Sequence, residues 1–130
     1  FDNRVVVIEA TGHTVWDALE NGVAPYPSAA GQFLQVSGVE YTFDAAHEPG
    51  SRIVSVTIDG RPIELDKVYR VVANDFLTGG GDHYTMLKSC KIVLDTKLYL
   101  RDALTEYVRS LGVVNPKLEG RITILNSSAK

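Results

Sequence analysis

A chain of 130 residues, 45% hydrophobic and 22% charged, has the size and make-up of one soluble globular domain, and is long enough to bury roughly two-thirds of its unfolded surface. A net charge of −3 with a pI near 5.5, and no run of Lys or Arg, excludes the basic face of a general nucleic-acid binder. No apolar run approaches the ~20 residues that span a bilayer and no signal-peptide pattern is present; Cys90 stands alone, which excludes an internal disulfide.

Arg4 to Thr11 (RVVVIEAT) is a run of β-branched residues that predicts a largely buried strand. Gly12 breaks it, and His13 to Val23 follows as a helix with Val15, Leu19 and Val23 on one face. Trp16 beside them is read as a core anchor, and His13 as a solvated residue. Ala24 to Gln32, with two prolines and small residues, is a loop. Phe33 to Ser37 and Val39 to Phe43 alternate as two short strands around Gly38. Pro49-Gly50 marks a turn holding a solvent-facing His47.

Arg52 to Ile58 alternates with period two, and Asp59-Gly60 is a hairpin signal. Tyr69 to Ala73 is a further strand, and so is Lys91 to Leu94. Thr96 to Leu111 carries the clearest helical period: Leu100, Leu104, Tyr107 and Leu111 form a stripe, Asp95 or Thr96 is available as a cap, and Gly112 ends it. Arg121 to Leu125 is a last strand. The pattern predicts an α+β fold: a mixed, mainly antiparallel sheet of about seven strands with two principal helices packed on it. Residues 1–125 are expected to be the domain and 126–130 a tail or linker, where Asn126-Ser127-Ser128 fits a weak N-glycosylation pattern.

Between the strand ending at Ala73 and the one beginning at Lys91 lies Asn74-Asp75-Phe76-Leu77-Thr78-Gly79-Gly80-Gly81-Asp82-His83-Tyr84. Three successive glycines permit positive φ and let another group approach bare backbone. The composition fits two roles. It suits a turn that closes a hairpin, with Asp82 as a local cap. It also admits a ligand cradle in which Phe76 offers a flat apolar face and Asp82 an acceptor, although composition alone favours the turn. The loop is not a P-loop, because Asp82-His83 stand where Lys-Ser/Thr would be needed. His13, His47 and His83 are scattered, no HExxH, CxxC or GxSxG motif occurs, and only the fold can show whether Asp2, Asp82, Asp95 and Asp102 converge. A self-contained catalytic or metal site is not expected in this chain.

Several stretches resemble the C-terminal domain of the 5′-nucleotidase family, which includes UDP-sugar hydrolases and 2′,3′-cyclic-nucleotide phosphodiesterases. Phe1-Asp2-Asn3 before RVVVIEATG is similar to its "PFGN-strand-TG" segment. Gly31-Gln32-Phe33-Leu34-Gln35-Val36-Ser37-Gly38 resembles its "GxFLQVSG". Asn74 to Asp82 resembles "NDFLxxGGDG[YF]", and Glu119-Gly120-Arg121-Ile122 its closing "EGRI". The likeness runs in order from Phe1 to about Leu125. It departs at Asp2 and at His83, each of which stands where the family has Gly; His tolerates positive φ better than most residues.

The resemblance implies a substrate-binding domain. Phe1 and Phe76 correspond to two rings that sandwich the base, Asp82 to the acceptor of the ribose hydroxyls, and Gly80 and Gly81 to the paired glycines that leave room beside the ligand. No catalytic residue and no metal ligand of the family falls in this chain. Its chemistry, with two divalent ions such as Zn or Mn, belongs to an N-terminal metallophosphoesterase domain, the chain's implied partner. Hydrolysis of a nucleoside monophosphate or a related ester is thus expected of the whole protein, with this chain alone inactive and the location extracytoplasmic. The alternative is a stand-alone ligand-binding or interaction domain without a catalytic partner.

Overall fold

The computed structural model describes residues 1–127. In chain order it forms β1 (Arg4–Thr11), α1 (Gly12–Val23), β2 (Val39–Asp44), β3 (Ile53–Ile58), β4 (Arg61–Pro62) and β5 (Val68–Asn74). There follow α2 (Asp75–Thr78), a 3-10 turn at Gly81–His83, α3 (Thr85–Lys88), β6 (Lys91–Tyr99), α4 (Leu100–Leu111) and β7 (Ile122–Leu125). The fold is α+β, with mainly antiparallel pairing, as the sequence predicts. The chain divides into two compact units, one made of Phe1–Ala10 with Val68–Leu118, the other of Thr11–Lys67 with the chain from Glu119 onward.

The first unit holds a three-stranded sheet in the order β5-β1-β6. Alternation in β1 buries Val6, Ile8 and Ala10, while Val5, Val7 and Glu9 are half-buried. β1 and β6 run antiparallel, with Ile8 opposite Ile92 and Glu9 opposite Lys91. β6 extends to Tyr99, so the helix begins at Leu100 and neither Asp95 nor Thr96 caps it. The period of Thr96 to Tyr99 is overridden by bonding to β1: Thr96 Oγ1 donates to the Val5 carbonyl at 2.6 Å, and Lys97 takes φ +60. In α4 no residue is buried among the described residues, and its apolar stripe of Leu100, Leu104, Tyr107 and Leu111 is exposed.

The second unit holds a four-stranded sheet, β4-β3-β2-β7. β2 pairs antiparallel with β3 and parallel with β7. Leu19 and Val23 of α1 join Tyr41, Phe43, Ile53 and Val56 in one core cluster, with Trp16 packed against it. Each such large side chain contributes about 1.5–3 kcal/mol on burial. Thr11 caps α1 by accepting from Thr14 N, so Gly12 opens the helix. Asp59 and Gly60 both have positive φ, at +52 and +79, as a two-residue hairpin between β3 and β4 requires.

Phe33 to Ser37 is not a strand. Its side chains Phe33, Leu34 and Val36 do pack on the core. Two of its carbonyls are taken by side chains instead of a ladder: Tyr41 Oη donates to Leu34 O at 3.2 Å and Arg121 Nη1 to Val36 O at 2.7 Å. Asn126, expected in a loose tail, donates from its side-chain amide to Asp44 at 2.7 Å. The rest of that predicted tail, 128–130, lies outside the described residues. Among the described residues no helix is long and apolar enough to cross a membrane.

Candidate nucleoside site

The glycine-rich segment is a chain of tight turns within the first unit. Asn74, the last residue of β5, caps α2 by accepting from Leu77 N at 2.9 Å. Phe76 is the second residue of that single helical turn, and half of it (49%) is exposed. Gly80 then takes φ +94, a conformation that disfavours any side chain. Asp82 and His83 follow at φ +52 and +66, so His83 does occupy the left-handed region where the family pattern has Gly. Tyr84, fully buried, anchors the exit.

Gly81 serves the Phe76 ring directly. A Cβ added there would lie 2.4 Å from Phe76 Cζ and 2.6 Å from both Cε atoms, so the ring edge rests on bare backbone. The neighbour that any side chain at position 81 would meet is thus the Phe76 ring itself. Asp82, next in the chain, is exposed, and a carboxylate there is an acceptor.

Phe1 enters at the same end of the sheet. The Asn3 carbonyl accepts from Leu100 N at 2.8 Å, and Asp2 pairs with Arg101. The Arg101 guanidinium lies 4.7 Å from the centroid of the Tyr99 ring. Three residues after Phe1, Arg4 N donates to Asp75 Oδ1 at 2.9 Å, immediately before Phe76. The two aromatic positions therefore flank one hydrogen bond. Phe1 itself is fully exposed, and no ring contact joins it to Phe76 among the described residues.

Among the described residues the four acids do not assemble into one cluster. Asp95 is engaged by Arg4, and Asp2 and Asp102 share Arg101. Arg4 Nε lies 3.3 Å from both Asp95 oxygens and Nη2 lies 3.1 Å from Oδ2. Together with the Lys97 backbone N–H, these bonds hold the Asp95 carboxyl down at about 2. Sequence reasoning offers Asp95 only as a helix cap or one of four scattered acids, and it misses Arg4 and Asp75. The available signal is Asp75 inside the motif, directly before the ring; its partner lies 71 positions away. Among the described residues no group of three or more His, Cys, Asp or Glu is assembled that could hold a metal ion. His13 pairs with Asp17 at 3.1 Å and His47 with Asp44 at 3.4 Å. A shallow cleft of about 210 Å³ in the second unit is lined by Glu40, Asp59 and Arg121 among others. Its Arg121 is already committed to Val36 O and Glu119.

Residues 1–89 match the family described as 5′-nucleotidase, C-terminal domain. The trifunctional nucleotide phosphoesterase protein YfkN of Bacillus subtilis is 37% identical over 94% of this chain, which covers 9% of YfkN. A 5′-nucleotidase of Diplobatis ommata is 34% identical over 99% of this chain and 24% of its own length. The crystal structure of a 5′-nucleotidase precursor from Thermus thermophilus superposes with a TM-score of 0.91 at 41% identity, over 96% of this chain and 26% of that one. The chain thus spans about a quarter or less of these three relatives, and it belongs to the 5′-nucleotidase C-terminal domain family.

Proposed function

We propose that the chain is the nucleoside-recognition part of a larger 5′-nucleotidase-type phosphohydrolase. The observation that carries this reading is the Phe76 ring, half-exposed and seated on Gly81, with the Asp82 carboxylate in the same turn. A base stacks on such a ring whatever its identity, since every base has a π-face. An acceptor-only carboxylate suits the two ribose hydroxyls. Phe1, on the lead into β1, supplies the second face of the sandwich, and the left-handed Gly80 keeps the turn free of a side chain. Such a site distinguishes nucleosides from other molecules more strongly than it distinguishes bases.

The phosphate end belongs to an N-terminal metallophosphoesterase partner domain. That domain would hold two divalent ions, such as Zn or Mn, whose chemistry when bound would be water activation and charge stabilisation. The described residues of this chain do not fit a metal centre, and they act by positioning the substrate. The substrate is a nucleoside monophosphate or a related nucleotide ester, and this chain alone is inactive. An extracytoplasmic location is supported by the Thermus relative being named a precursor.

A titration of the isotope-labelled chain with adenosine, followed by NMR, tests the site. Stacking contributes about 1–3 kcal/mol per base, and a millimolar Kd corresponds to about −4 kcal/mol, so millimolar binding is expected. Shifts should centre on Phe76 to Tyr84 and vanish in Phe76→Ala. A titration of the unsubstituted chain that stays flat up to about 10 mM, where binding is worth only about −2.7 kcal/mol, contradicts the reading.

A further inference from the structure

We propose that Arg4, Asp75 and Asp95 are positioning residues that fix the direction of the Phe76 ring. The proposal rests on the nucleoside reading of the site and adds to it a device outside the expected contact residues. α2 has four residues, and a single turn is marginal by itself, because nucleation costs more than one hydrogen bond returns. Its cap, Asn74, holds only the Leu77 amide. The Asp75 carboxylate reaches across from its helix to β1, accepting from Arg4 N at 2.9 Å and lying 3.4 Å from Arg4 Nη1.

That guanidinium is itself held by Asp95 of β6, through Nε and Nη2 at 3.1–3.3 Å. A planar fork on a carboxylate fixes orientation as well as distance. Asp95 is steadied in turn by Lys97 N at 3.0 Å and Lys97 Nζ at 3.2 Å. The network therefore joins the start of β1, the start of α2 and the middle of β6. Consecutive residues of a helix point about 100° apart, from 3.6 residues per turn. Pinning the Asp75 side chain therefore sets where Phe76 points. The ring is fixed from its other side by the Gly81 backbone. A ring held from both sides before ligand arrives does not lose that freedom on binding.

The test reads ring position without ligand. A ring resting on Gly81 shifts the Gly81 Hα resonances by its ring current. In Asp75→Asn and Asp95→Asn these resonances should move toward those of Phe76→Ala, and adenosine should bind about threefold to tenfold more weakly, part of what a full stacking contact supplies. Arg4→Lys keeps the backbone donor and the charge but cannot fork; it should give the same displacement and serves where a neutralised variant fails to fold. Asp95→Glu should restore most of the shift. Wild-type Gly81 shifts in both Asn variants and in Arg4→Lys would overturn the proposal. If Phe76→Ala leaves adenosine affinity unchanged, the nucleoside reading fails, and the Gly81 resonances still decide whether the tether aims the ring.

Discussion

The Phe76 ring occupies the space that any side chain at position 81 would need. Gly81→Ala should therefore displace the ring and weaken adenosine binding by about tenfold, a loss of ~1.4 kcal/mol within the range of one stacking contact. The thermal midpoint should change little, since the ring is half-exposed; unchanged affinity with the ring shifted would contradict the stacking role. Asp82→Asn tests the acceptor. Asn tolerates the left-handed backbone observed at φ +52, so the turn should survive while the charge is lost. Affinity for adenosine should fall, and 2′,3′-dideoxyadenosine should bind the parent and the variant alike. A variant that loses affinity equally for both ligands would show that Asp82 holds the turn and not the ribose. The aromatic, glycine and carboxylate positions of this turn are legible in the sequence because they are contiguous. The seat of Phe76 on Gly81 is not, because it depends on the kink at Gly80.

At the level of elements, the second unit is fastened by Arg52. Its Nη1 donates to the carbonyls of Val23, Ala24 and Tyr26 at 2.9–3.0 Å, closing the end of α1. Glu20 answers from the helix, accepting from Arg52 N and Ile53 N at 2.9 Å. Both side chains are buried. Arg52→Met should cost at least about 3 kcal/mol, since several buried acceptors lose a charged donor at once; a variant with the parental midpoint of unfolding would refute this clamp. In the first unit Asp95 predicts an acid limb. Its folded pKa, about 2, lies below the ordinary 3.8, so its stabilisation is present above that ordinary value and is lost as pH falls through 2. Denaturation followed between about pH 4 and 2 should be shallower in Asp95→Asn than in the parent; equal slopes would show that the Arg4 pairing adds nothing to stability. The helices α1 and α4 and the Asp59-Gly60 hairpin are readable from period and turn chemistry. The end of β6 is not, since the Thr96 bond to Val5 spans 91 positions. Phe33 to Ser37 has a strand's apolar pattern, but the side chains of Tyr41, seven positions from its partner, and Arg121, 85 positions from its own, take the Leu34 and Val36 carbonyls.

For the whole molecule, the chain spans about a quarter of the 5′-nucleotidases from Diplobatis ommata and Thermus thermophilus, and on the proposed reading its share of the work is to offer a stacking ring and an acceptor. The isolated chain should release no phosphate from AMP with or without added Zn or Mn; metal-dependent release would place catalysis here. On the proposed reading this chain reads base and ribose and leaves the phosphate to its partner domain. The most direct measurement is a parallel titration with adenosine, AMP and ribose 5-phosphate, reading the resonances of Phe76 to Tyr84. Adenosine and AMP should bind within about threefold of each other, a difference of ~0.6 kcal/mol, and ribose 5-phosphate should leave the Phe76 signals in place. Equal binding of AMP and ribose 5-phosphate, with adenosine silent, would show a phosphate site in place of a nucleoside site.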